Sequence, residues 1–120
     1  MPNDLAGSTI YTGQSNEYPW AGEGPILTDA GPALATIQKF QLCALVATGV
    51  TPFVVGTHTA AQAVMAMQPA TTGKQVPYVH TAIVNHEHII WPTDASLDTY
   101  IERRSFMTGT LKVSRLYRAE

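Results

Sequence analysis

Three of the four histidines, His80, His86 and His88, lie close together in the chain. They fall in the run 78–90, whose β-branched and aromatic residues predict one long, half-buried strand. Alternate residues of a strand share a face, so positions of equal parity put all three imidazoles on one side and Glu87 on the other. His86-x-His88 is a spacing zinc or nickel can use, given one or two further ligands. No cysteine pair and no second His or carboxylate motif supplies them, and polar residues on an exposed or subunit-facing strand give the same pattern. No metal and no cofactor is expected. The His80, His86, His88 face stands as the alternative function, a small β-domain binding a metal or ligand.

Other chemistry is thinner. Cys43 sits in Leu42-Cys43-Ala44-Leu45-Val46, the setting of a small buried hydrophobe, and no local motif offers it a base. There is no Gly-rich phosphate loop and no Gly-x-Ser-x-Gly elbow, and the nine carboxylates are scattered singly. An enzyme is therefore not expected. Trp91, between Ile90 and Pro92, has the form of a ligand-stacking residue but reads more simply as a core or interface anchor. Arg103, Arg104, Lys112, Arg115 and Arg118 crowd the C-terminal end, yet the chain is net −2 and lacks interleaved aromatic platforms. The cluster suits a solvated face or an acidic partner better than nucleic acid.

The elements that must position these residues follow from composition. At 120 residues and 45% hydrophobic the chain has the size of one domain, and oligomerisation would help it bury surface. Only 13% of residues are charged, against roughly 25% in an average domain, so the surface suits contact with other protein. One cysteine excludes an internal disulfide. The most apolar run, 42–55, is broken by Gly49 and Pro52 and is too short to cross a bilayer. No signal peptide is visible, so a soluble product made in a cytosol is expected.

Residues 1–32 hold five glycines and four prolines and little periodicity, which predicts a flexible, extended N-terminal arm. Ile10, Tyr11, Tyr18 and Trp20 are large apolar side chains within it. Either the arm folds back over its own domain, or it orders against a partner by adding a strand to a sheet edge. Residues 33–120 form the β-rich domain, with folded structure from about Ala35. Residues 36–46 read as a strand and 49–52 as a turn, followed by Phe53-Val54-Val55; further strands are expected at 63–67, with a helix over 59–67 as the competitor, and at 110–117. Residues 68–77 read as a loop. Pro92 ends the long strand, and Asp94 or Ser96 caps a helix with Leu97, Tyr100 and Ile101 on its apolar stripe. Arg103 and Arg104 near its end suit the helix dipole. Gly109 turns the chain into the last strand, where Leu111 and Val113 share a face opposite Lys112 and Ser114. The class is all-β with one short helix.

The runs Val76-Pro77-Tyr78-Val79, Ile83-Val84-Asn85-His86-Glu87-His88-Ile89-Ile90-Trp91-Pro92, Ala95-Ser96, Arg103-Arg104-Ser105-Phe106 and Gly109-Thr110-Leu111-Lys112-Val113 together resemble the C-terminal half of the lambda-type bacteriophage head decoration proteins. In that family a strand ends in a hydrophobic-Trp-Pro corner, a short helix follows, and an aromatic-x-x-Gly-Thr turn leads into the last strand. Residues 60–67 match more loosely. The tail 115–120 runs past the family's last strand, and 40–59 aligns poorly. The resemblance implies a β-clip-like domain, with Trp91, Pro92 and Gly109 as its structural corner. It implies a homotrimer at local three-fold positions on the outer surface of a mature virion, clamping capsomers, with the arm ordering on the major capsid protein. Ile10, Tyr11, Tyr18 and Trp20 are then the candidate capsid-binding residues, with no membrane and no nucleic acid involved.

Overall fold

A computed structural model describes residues 19–21 and 25–115. The fold is all-β with one short helix. Six strands, β1 (Leu27–Pro32), β2 (Leu42–Val46), β3 (Gly49–Pro52), β4 (Ala63–Ala66), β5 (Gln75–Asn85) and β6 (Leu111–Ser114), form one sheet, and α1 spans Tyr100–Phe106. The path is β1-β5-β4-β2-β3, antiparallel throughout, with β6 added parallel to β5. A parallel neighbour needs a crossover. Residues 86–110, with the Trp-Pro corner and α1, supply it.

The central strands are buried on both faces. Ala63 and Met65 of β4 join Leu42, Ala44, Val79 and Leu111 in one cluster, whereas Val64 and Ala66 join Cys43, Val50, Val76 and Tyr78 in the other. This is the period of two expected over 63–67. The helical competitor survives as a single 3₁₀ turn, Ala60–Gln62, before β4 begins. The last strand, expected at 110–117, is shorter, Leu111–Ser114, with Arg115 outside it and 116–117 outside the described residues, but its alternation is as expected: Leu111 and Val113 are buried and Lys112 exposed.

The sheet curls until its ends meet. Past β1, Ala33 bridges Val50 of β3, and the Leu34 amide donates to the Val50 carbonyl at 2.8 Å. Gly49 makes this closure possible: its φ of 154° is rarely adopted by L side chains, and a Cβ there would run into the Pro32 carbonyl oxygen.

Several expectations need correction. The arm does not extend to residue 32, because Leu27–Pro32 forms an edge strand paired with β5. Pro32 is tolerated at the end of an edge strand, where its missing donor costs least. The strand expected at 36–46 starts at Leu42, after Phe40 takes a positive φ of 65°. Residues 49–52 are a strand rather than a turn, paired back on β2 as a hairpin. The loop expected at 68–77 gives way to β5 at Gln75.

The long strand ends at Asn85, not at Pro92. The Asn85 side chain accepts from the Glu87 amide at 3.1 Å and caps a 3₁₀ turn, His86–His88. Asp94 caps a second 3₁₀ turn, Ala95–Leu97. The helix proper starts later, at a Thr99–Glu102 capping box. As a result Leu97 is buried, but Ile101 is 65% exposed and lies off the apolar stripe assigned to it.

Candidate functional site

The three histidines do not share a face. Between β1 and β5 the register steps from Thr28↔Val79 to Leu27↔Thr81, so His80 is the extra residue of a bulge. A bulge shifts the side-chain parity of everything beyond it. That is why Val79, Ala82 and Val84 all reach the same cluster. His86 and His88 are then carried off the strand by the Asn85-capped turn. Among the described residues no group of three or more His, Cys, Asp or Glu comes together in a way that could hold a metal ion.

The arm residues divide. Ile10, Tyr11 and Tyr18 lie outside the described residues. Trp20 bridges Val84, the Ala21 amide donates to the Ile83 carbonyl at 3.0 Å, and the Asn85 amide donates to the Pro19 carbonyl. The Trp20 ring is half-buried against the larger core cluster, which seats it on its own domain. Residues 19–21 therefore run antiparallel to the far half of β5, on the side β1 takes along the near half. Along Leu27–Pro32 the described partner of β1 is β5, and its burial pattern is mostly exposed. Ile26 and Leu27 stand 45% and 49% exposed beside it. Among the described residues no strand covers the outer side of β1 before its Pro32 end meets β3, although the Ala30 amide there already donates to the Asp29 carboxylate at 2.8 Å. An edge of this kind flanked by apolar side chains is a template for a further strand.

The Trp-Pro corner is tied to its neighbours through Trp91. Trp91 Nε1 donates to the His86 carbonyl at 2.8 Å, which ties the corner to the 3₁₀ turn. The Arg103 guanidinium lies 4.9 Å over the Trp91 ring, its Nε donates to the Leu97 carbonyl at 2.9 Å, and its Nη1 meets His86 Nδ1 at 3.1 Å. The His86 and Tyr100 rings are 4.8 Å apart, and Arg115 lies 4.1 Å over the far ring of that pair, Tyr100. Arginine, aromatic and imidazole thus alternate from the corner through α1 to the end of β6. The sequence marks Trp91, but Arg103 is visible there only as a complement to the helix dipole. Tyr100 and Arg115 carry no local signal of this contact.

Burial, then the Arg103 charge, pull His86 below its usual imidazole range; Glu87 opposes and Arg115 adds to the depression. Gly109 of the corner unit packs tightly, since a Cβ there would sit 2.7 Å from the Ala60 carbonyl oxygen. Cys43 is fully buried and its Sγ donates weakly to the Gln41 carbonyl, so desolvation pushes the thiol up to about 12.

Two surface clefts are lined by described residues. One, of about 560 Å³, has Ile37, Pro69 and Ala70 in its lining with Lys39 and Lys74 among the polar residues. The other, of about 750 Å³, lies beside Trp91 and Pro92 and includes Glu87, Asp94, Asp98 and Arg103. The Asp94 carboxylate there is occupied as a cap for Ser96, whose side-chain and backbone hydrogen bonds hold it below the usual carboxylate range. No helix of the described residues is long and apolar enough to cross a membrane.

No protein-family model matches the chain, and no curated protein matches it either.

Proposed function

We propose that the chain is a structural virion protein that decorates the outside of an expanded phage capsid. In this reading trimers sit at local three-fold positions and clamp neighbouring capsomers, and the N-terminal segment adds to a strand of the major capsid protein. No catalytic step is involved. The reading rests first on the resemblance carried by the Trp91-Pro92 corner, the helix and the Gly109-Thr110 turn. The observation that carries it further is the outer side of β1, which no strand of the described residues covers along Leu27–Ala30, with Ile26 and Leu27 exposed beside it.

The physical economy fits a clamp. A segment that orders on binding gives up roughly 2–5 kcal/mol of its interaction energy, so one arm alone binds weakly. Three arms on one trimer raise the effective concentration and supply avidity. Simultaneous engagement then depends on capsomers standing at the mature spacing.

The test is binding of the protein to expanded, undecorated shells by cryo-microscopy and co-sedimentation. The seating of Trp20 on β5 places the cut at residue 18, so that a chain lacking residues 1–18 keeps its sheet intact. That truncation is expected to remain folded and to lose shell binding. Full retention of binding would defeat the arm mechanism, and failure of the intact chain to bind any expanded shell would defeat the decoration reading.

A further inference from the structure

One imidazole sits where five parts of the fold meet. The backbone of His86 receives the Trp91 Nε1 hydrogen bond from the corner, and its ring contacts Arg103 and Tyr100, both on α1. Arg103 reaches on to the Leu97 carbonyl of the second 3₁₀ turn, and Tyr100 receives Arg115 from just beyond β6. The groups facing His86 are therefore Glu87 from its own turn, Arg103 and Tyr100 from α1, and Arg115 from the end of β6.

The Arg103 contact fixes the protonation state. A guanidinium has donors and no acceptor, so a hydrogen bond between Nη1 and Nδ1 requires Nδ1 to carry a lone pair. The ring is then neutral, with its proton on Nε2. Adding a proton at Nδ1 turns the acceptor into a donor aimed at another donor. It also places a third positive charge between Arg103 and Arg115, with Glu87 as the opposing carboxylate. The geometry cannot keep the 3.1 Å contact in that state.

We propose that His86 is a proton-operated latch: neutral, it holds α1 and the end of β6 against the Trp91 corner, and protonated, it releases them. The step is a simple proton gain from solvent at Nδ1, with loss of the Arg103 Nη1 hydrogen bond and no covalent change. Burial and the two arginines make the neutral ring the resting form near neutral pH, so the latch responds to acid. It stands independently of the capsid reading.

The test follows Trp91 emission between pH 8 and 4 in the full chain carrying Trp20→Phe, which leaves Trp91 as the single tryptophan. A one-proton change in emission is expected with its midpoint below about 6.5, the ordinary imidazole value, while far-UV circular dichroism stays constant across it. His86→Gln in the same background is expected to abolish the change. An unaltered transition in that variant, or no transition in its parent before global unfolding, overturns the latch. Should the variant not fold, a proton NMR titration of His86 in the parent decides. Titration below about 6.5 in step with the Trp91 resonances supports the latch, and titration at or above that value, or without movement of Trp91, refutes it.

Discussion

Replacing Gly49 by alanine probes how the sheet closes. Gly49 opens β3, pairs with Val46 across the hairpin, and lies against Pro32 at the point where the two ends of the sheet meet. Two penalties combine there. The first is the backbone: a φ of 154° is strained for any L side chain, at a cost of order 1–3 kcal/mol. The second is steric. The new Cβ meets the Pro32 carbonyl oxygen, a backbone atom that cannot rotate away, and Leu34 and Pro32 side-chain carbons lie at 3.2 Å. Overpacking of that kind costs about 1–3 kcal/mol. The sum is about 2–6 kcal/mol, equivalent to a fall in Tm of roughly 10 °C or more for a domain of this size. Gly56 supplies the control, because its φ of 90° is also strained but nothing lies within 4 Å of its Cβ position. Gly56→Ala should lose only the backbone part, about 1–2 kcal/mol. Urea unfolding followed by circular dichroism reads both, and an unchanged m-value shows that the loss lies in stability. If Gly49→Ala loses no more than Gly56→Ala, the ends of the sheet are not in contact and the closed architecture is wrong.

Further outcomes follow from the packing and the charges. Trp20→Ala should destabilise the domain by about 1–3 kcal/mol, less than the full cost of a buried tryptophan because the ring is half-exposed; no change in the urea midpoint would show that residues 19–21 do not dock on β5. Cys43 should resist a thiol reagent in the native state at pH 8 and react stoichiometrically in denaturant, since its thiol is buried and pushed up to about 12; rapid native labelling contradicts this. For His86 the folded pKa is depressed, so the unfolded state binds the proton more tightly. Stability should be fully present above about pH 6.5 and decline as pH falls through the folded value, and His86→Gln should flatten that part of the profile. Asp94 and Glu102 act at lower pH in the same sense. Their depressed values come first from hydrogen bonding by Ser96 and by the Thr99 amide, so their contribution is lost as pH falls below the ordinary carboxylate range.

Local pattern carried much of the fold. The alternation in β4 and β6, the burial of Cys43 and the arginine-last polarity of α1 are all set by neighbours within a few residues, whereas the strand stop expected at Pro92 comes earlier, at Asn85. The site was less legible, because its geometry depends on one inserted residue. No local signal distinguishes His80 from any other strand residue, and the bulge arises only from the pairing of β5 with β1. Asn85 marks the end of β5 by capping, yet an Asn within a β-branched run is equally compatible with a continuing strand until its neighbours are known.

What the sequence by itself determined is the all-β class, the late helix, and a corner built on Trp91 and Pro92, since propensity, capping and proline geometry act over short range. The tertiary structure decided the rest. It set the parallel pairing of β6, the closure of the sheet at Gly49, the seating of Trp20 on β5 and the separation of the three histidines. Each of these depends on which distant segment supplies a hydrogen-bonding edge or a packing face, and chain order does not encode that choice locally.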